Sequence, residues 1–310
     1  MFKKIKLVIL ASSLRTIEKL LLIYLGLKQE SSYVGKQKIV FYKTKSFKPL
    51  PAPTIVLIHG FGADKNHWLS VSRFLKSKFN LIILDVPGFG ESSINLFAKY
   101  TLDEQVSMIM ELLLRIVPSD QYIIGGNSLG GFFSTVIAAK APQKVIGLWL
   151  LAPAGVSTEQ HAEGVELILE GKNPLLVKNS LDFARLSQLC FYNPPAKGWF
   201  YEVLEQKAIR RFPTNKHLFT QMFGSINSIS ENPLKLEELA SGIECETLIV
   251  WGDSDRVVTP DGMKILVKKI KFNESKLMFQ VGHLPMLEAP EKCAKDLIEF
   301  CNRKIFPKNQ

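Results

Sequence analysis

Past residue 35 the chain alternates short apolar runs with longer stretches of helical periodicity. The runs are 38–42 (KIVFY), 54–58 (TIVLI), 80–84 (NLIIL), 121–125 (QYIIG), 146–151 (IGLWLL), 246–251 (ETLIVW) and 276–281 (KLMFQV). Several are hydrophobic at successive positions, so both faces of the strand must be covered, as in a parallel sheet. Helical patterns lie near 66–77, 102–117, 129–140, 261–270 and 290–304. This alternation predicts an α/β class fold with a mostly parallel, doubly wound central sheet flanked by helices. From about 156 to 237 the alternation stops. No strand pattern appears there, and nine aromatic residues fall between positions 183 and 223. The expectation is a core made of 36–155 and 238–310, with 156–237 inserted as a helical cap. A chain of 310 residues fits one large domain carrying such an insertion.

The first thirty residues follow another pattern. Leu10, Leu14, Ile17, Leu21 and Leu25 recur at helical spacing and form one stripe. Arg15, Glu18 and Lys19 interrupt the apolar sequence, so no run approaches the ~20 residues needed to cross a bilayer. The apolar run after Lys3, Lys4 and Lys6 is short for a secretory signal, and no clear small-residue cleavage site follows it. Charge sharpens the picture. The formal net charge is +10, yet residues 1–48 alone carry eleven basic side chains against two acids. The folded body beyond them is nearly neutral, which gives no basic face for nucleic acid. Residues 1–30 are therefore expected to form a basic amphipathic helix on an anionic membrane surface, the competing reading being a helix packed on the protein's own body. The four cysteines, Cys190, Cys245, Cys293 and Cys301, form no C-x-x-C pair and no cluster with metal-ligand spacing, and read as buried thiols.

Ligands of open α/β sheets bind beyond the carboxyl ends of the strands, so reactive residues should follow the apolar runs. Three segments do so. Gly126-Asn127-Ser128-Leu129-Gly130 lies between a strand and a helix. A serine on such a turn is held in a strained conformation, with its hydroxyl presented at a helix N-terminus. Ser128 is the expected nucleophile. In this architecture the base follows the nucleophile in the chain. His59 and His67 precede Ser128, and His161 and His217 fall in the insertion. That leaves His283, two residues past the run ending at Val281. The acid should accept a bond from the imidazole N–H that faces away from the serine. Asp253 and Asp255 both follow the run ending at Trp251, and spacing alone does not separate them. The oxyanion needs backbone donors. These are expected from Leu129, after the nucleophile, and from Phe61, in the glycine-flanked loop His59-Gly60-Phe61-Gly62.

The segments HGFG (59–62), DVPGFGES (85–92), GGNSLGG (125–131), WGDSDRVVTP (251–260) and GHLPMLEAP (282–290) together resemble the α/β-hydrolase superfamily, over roughly residues 50–305. Within it the chain is most similar to bacterial lipases and membrane-anchored monoacylglycerol lipases. The resemblance implies that Asp255 is the acid, that the insertion is a lid forming an acyl pocket, and that no metal or organic cofactor takes part. It implies hydrolysis of lipid-like carboxylic esters through an acyl-enzyme. Carbon–carbon bond hydrolases of ring-fission products share PGFG-x-S and GNS-x-GG, but usually carry a Ser-Gly-Pro-Gly type oxyanion loop where this chain has Phe61-Gly62-Ala63-Asp64. Relatives with an aspartate nucleophile are set aside by Ser128. A non-catalytic binding protein on this fold would usually lack part of the triad, and here each part has a candidate.

Overall fold

The computed structural model describes residues 2–46, 52–224 and 234–307. Its centre is an eight-stranded sheet built from β1 (Leu27–Val34), β2 (Gln37–Thr44), β3 (Thr54–Ile58), β4 (Asn80–Leu84), β5 (Tyr122–Asn127), β6 (Val145–Leu151), β7 (Glu246–Gly252) and β8 (Asn273–Met278). The strand order is β1-β2-β4-β3-β5-β6-β7-β8. Only β2 runs against its neighbours.

The continuous apolar runs have a direct physical cause. In β3, Val56 and Ile58 face one core with Ile82, Leu84, Ile124 and Leu150, while Ile55 and Leu57 face a second with Leu81, Ile83, Ile123 and Leu151. Every position is buried because both sheet faces are covered. The first core is closed by helices α3 (Leu102–Ile116), α4 (Leu129–Lys140) and α9 (Asp261–Lys269). The second is closed by α2 (Leu69–Leu75), α10 (Pro285–Glu288) and α11 (Pro290–Phe300).

Two strands depart from the sequence expectation, and both are sheet edges. Residues 27–34 form β1, which pairs along its whole length with β2 through a tight turn at Gly35, where φ is +55°. The sheet core therefore begins at 27 rather than 36, and the N-terminal helix α1 (Phe2–Leu25) ends before residue 30. In β1 only the end residues Leu27 and Val34 are buried, so LKQESSYV carries no apolar run to announce it. At the other edge, β8 occupies Asn273–Met278 instead of 276–281, and Phe279 points into solvent at 81% exposure. An edge strand needs little apolar cover, and its sequence signal weakens accordingly.

The N-terminal stripe divides between two surroundings. Leu25 is buried, and Leu21 and Leu22 pack beside it on the second core. Ile17, assigned to the same stripe, is instead exposed together with Leu20, Ile23 and Tyr24. The helix leans on β1 and on the insertion. Among the described residues no helix is long and apolar enough to cross a membrane.

Between β6 and β7 stand α5 (Glu163–Leu169), α6 (Ser180–Cys190) and the 25-residue α7 (Trp199–Phe223). Part of the expected cap, residues 225–233, lies outside the described residues. The chain then rejoins the core at α8 (Leu236–Ala240), which packs on α4 and α9.

Candidate active site

The serine elbow is made by the packing of β5 against α4. A Cβ on Gly126 would stand 2.1 Å from the carbonyl oxygen of Gly130, and one on Gly130 would stand 2.2 Å from that of Ile58. Only glycine permits this close approach. Between them Ser128 adopts φ 55° and ψ −121°, a conformation that costs a side-chain-bearing residue about 1–3 kcal/mol. Backbone bonds hold it there. Ser128 N–H donates to Leu151 O at 3.1 Å, and Ser128 O accepts from Ala154 N–H at 3.0 Å and Phe132 N–H at 3.1 Å.

Beyond β7 the two aspartates separate by their contacts. Asp255 is buried. Its Oδ1 accepts from the N–H groups of Val257 (2.8 Å) and Val258 (3.0 Å), and its Oδ2 lies 2.7 Å from Nδ1 of His283. Asp253 instead closes a turn, with Oδ1 accepting from Gln280 N–H at 2.9 Å and from the Ser254 hydroxyl at 2.8 Å. His283 is itself 4% exposed. Its loop is pinned from two sides. His283 N–H donates to Cys190 O at the end of α6 (2.7 Å), and Gly282 N–H donates to Glu288 Oε1 (2.8 Å).

The buried side chain of Asn127 links the two halves of the site. Its Nδ2 donates to Leu151 O at 3.0 Å and to His283 O at 2.9 Å, tying the strand that carries Ser128 to the histidine loop. The HGFG loop crosses over the elbow, since a Cβ on Gly60 would lie 3.1 Å from Cβ of Ser128. Phe61, Ser128 and Leu129 border one cavity of about 360 Å³. Its remaining wall is largely apolar, with Val165 and Ile168 from α5, Phe219 and Phe223 from α7, and Trp251 and Val258 from the core.

The other histidines have other surroundings. His59 is fully buried. Its Nε2 accepts from Val86 N–H at 3.0 Å, which leaves Nδ1–H to donate to Gly60 O at 2.7 Å. Burial lowers its pKa to about 4. His67 sits in the 3₁₀ turn Lys65–Trp68, His217 lies edge-on to Tyr100, and His161 is exposed at the rim of the cavity. Among the described residues no group of His, Cys, Asp or Glu is arranged to hold a metal ion. The four cysteines are free, Cys293 and Cys301 fully buried and the other two partly so.

Behind the HGFG loop lies a polar cluster that the spacing of residues does not announce. Asp85 accepts from Lys65 N–H (2.8 Å), Lys65 Nζ (2.8 Å) and Glu91 N–H (2.8 Å). Lys65 Nζ also reaches Glu91 Oε2 at 2.7 Å. A Cβ on Gly90, where φ is +54°, would sit 2.2 Å from the Asp85 carboxyl group. The DVPGFGES segment is thus a loop folded around its own aspartate. Insertion residues join in. Lys207 pairs with Asp64 at 2.5 Å, and Arg211 donates to the carbonyls of Gly88 and Gly90. The only signal in the sequence was the motif itself, since Lys207 and Arg211 look like ordinary helical surface charges.

Residues 53–290 match the family model for the alpha/beta hydrolase fold. Lipase 1 of Psychrobacter immobilis is 34% identical over 251 residues, covering 79% of this chain and 76% of that protein. Monoacylglycerol lipase ABHD6 of Homo sapiens is 29% identical over 280 residues, covering 86% and 81%. The crystal structure of a membrane phospholipase A, described as a bacterial virulence factor, superposes with a TM-score of 0.86 at 30% identity, covering 95% of this chain and 92% of that one. An elbow serine between β5 and α4, an Asp–His pair beyond β7 and β8, and a family match over most of the chain lead to one conclusion: this chain belongs to the α/β hydrolase family.

Proposed function

We propose that the protein is a serine hydrolase that cleaves carboxylic esters of lipid-like substrates, with Ser128 as nucleophile, His283 as base and Asp255 as acid. The observation that carries this reading is the buried Asp255–His283 contact of 2.7 Å, linked through Asn127 to an elbow serine that borders an apolar cavity. The lipase names of the relatives support the same substrate class.

The chemistry follows from the bonds. Asp255 Oδ1 is occupied by two backbone donors, so Oδ2 is left to accept Nδ1–H of His283. That fixes the tautomer with its free lone pair on Nε2, available to take the Ser128 proton as the hydroxyl attacks the ester carbonyl. The developing oxyanion is received by the N–H groups of Phe61 and Leu129. Imidazolium Nε2–H then protonates the leaving alkoxide. The acyl group stays on Ser128 until water, deprotonated by the same nitrogen, releases the fatty acid. The insertion serves as the lid whose α5 and α7 side chains contact the acyl chain. The exposed face of α1, with Leu20, Ile23 and Tyr24 beside the basic N-terminus, rests on an anionic membrane surface.

The test is a fluorophosphonate label followed by a substrate panel of p-nitrophenyl esters from acetate to laurate, monoacylglycerols, triacylglycerols and a ring-fission diketone. Labelling confined to Ser128, with turnover rising from acetate toward medium-chain esters, is expected. Label uptake by Ser128→Ala, or preference for the diketone, overturns the reading.

A further inference from the structure

Helix α7 belongs to the insertion, yet its inner face is anchored in the core by polar contacts at helical spacing. Lys207, Arg211 and Asn215 lie one turn apart, followed by Phe219 and Phe223. Lys207 Nζ contacts Asp64 Oδ2, Arg211 contacts the carbonyls of Gly88 and Gly90, and Asn215 is buried against Gly62. Phe219 meets the Phe61 ring at a centroid separation of 5.6 Å, and Phe223 meets it at 6.5 Å. These contacts fall on the HGFG loop, on Asp64 just after it, and on the DVPGFGES loop packed against it through Phe89.

That loop has few other restraints on its downstream side. Upstream, His59 is fixed between Gly60 O and Val86 N–H. Downstream, Gly62 takes φ +72°, and the Ala63 N–H to Gly60 O contact is long at 3.3 Å. The next firm anchor is Asp64. One carboxylate oxygen caps the following turn by accepting Asn66 N–H at 2.9 Å, and the other receives Lys207. Asp64 itself is 7% exposed. Burial favours its neutral form, but the Lys207 ammonium, with His67 and the Asn66 N–H bond, outweighs burial and holds its pKa well below the usual carboxylate range. Without Lys207, a buried carboxylate three residues from the Phe61 N–H would lose its counter-charge. An oxyanion donor acts only when aimed at the oxygen as it will stand in the transition state, so small displacements are costly.

We propose that Lys207 is a positioning residue of the oxyanion hole: through Asp64 it holds the HGFG loop so that the Phe61 N–H points at the oxyanion. This rests on the ester-hydrolase reading above. Lys207 touches no reacting atom, and α7 is on this account a fixed wall of the active site.

The experiment compares full-length wild type with Lys207→Met, Lys207→Arg, Asp64→Asn and the Asp64→Asn/Lys207→Met double variant. Each is assayed for kcat and KM on a p-nitrophenyl ester and for inhibition by an alkyl boronic acid, which forms a tetrahedral adduct on the serine. Deleting an oxyanion donor outright costs about 10²–10³ in kcat, so misaiming one should cost roughly 10–100-fold. Lys207→Met is expected to lose that factor in kcat with KM within threefold of wild type, and to lose boronate affinity by the same factor. Lys207→Arg should recover to within about threefold, and the double variant should be no worse than the poorer single one. Undiminished kcat and boronate affinity in Lys207→Met, or a change confined to KM or to melting temperature, overturns the proposal. Wild type that takes no fluorophosphonate and hydrolyses no ester would instead remove the ester-hydrolase reading itself. If Lys207→Met does not fold, Lys207→Gln supplies the same comparison.

Discussion

Replacing Asp255 with asparagine tests the proposed Ser128–His283–Asp255 triad. The substitution changes one oxygen to an amide nitrogen and leaves shape almost unaltered, so the outcome depends on which way the amide settles. Oδ1 of Asp255 receives two backbone N–H groups at 2.8 and 3.0 Å, while Oδ2 receives His283 Nδ1 at 2.7 Å. If the new NH₂ faced Val257 and Val258, it would set donors against two donors in a buried site. Each buried donor left unsatisfied costs about 1–3 kcal/mol, so that orientation lies roughly 2–6 kcal/mol above the other. The amide therefore turns its NH₂ toward His283 and donates to Nδ1. The imidazole proton must then sit on Nε2, the atom that should accept the Ser128 proton. Only the disfavoured orientation leaves a working base, and its population sets a loss in kcat of about 30-fold to 10⁴-fold. KM and folding stability should change little. Burst-phase and steady-state hydrolysis of a p-nitrophenyl ester measures the loss. Asp253→Asn is the control, because its Oδ1 serves only the turn at Gln280 and Ser254, and it should remain within a few-fold of wild type. Asp255→Asn retaining a tenth or more of wild-type kcat, or Asp253→Asn falling further than it, would refute the reasoning.

Three other expectations follow from the same contacts. Gly126→Ala places a methyl group 2.1 Å from the Gly130 carbonyl, so the elbow must open; fluorophosphonate labelling of Ser128 should fall at least 100-fold, and normal labelling would count against the geometry. His59 has a pKa near 4 because it is buried, against about 6.5 when unfolded, so below pH 6.5 the unfolded chain binds a proton that the folded chain refuses. Its contribution to stability is complete above pH 6.5 and is lost as pH falls toward 4, a decline on the order of 3 kcal/mol; NMR titration should find the ring neutral at pH 5.5, and a midpoint near 6.5 would contradict this. Leu20→Glu with Ile23→Glu puts two charges on the exposed face of α1, where both side chains are more than 60% exposed; sedimentation with anionic vesicles should drop at least tenfold with soluble-ester turnover intact, and unchanged sedimentation would remove the membrane contact.

The class of fold and the position of the candidate site are both written in the linear order of residues. Strands such as TIVLI and NLIIL lie between two cores, and a strand buried on both faces must be apolar throughout, which is visible in one dimension. The serine turn was legible for a similar reason. The close approach of α4 to β5 excludes a side chain at Gly126, and its approach to the end of β3 excludes one at Gly130, so local geometry dictates local residues. The edges were not legible. LKQESSYV and NESKLM bury little and owe their place to backbone pairing with β2 and β7, for which many sequences suffice.

The partners that support the site also had to wait for tertiary structure. Spacing left Asp253 and Asp255 equivalent; the fold sends one to a turn and the other to His283, 28 residues further along the chain. Asn127 reaches the His283 carbonyl across 156 residues, and Lys207 reaches Asp64 across 143. A hydrogen bond or ion pair acts over about 3 Å, whereas sequence pattern reports only what neighbouring positions on one element must share. Which charged residue of a long helix meets which loop is set by how the helix lies across the sheet, and that arrangement exists only in the folded chain.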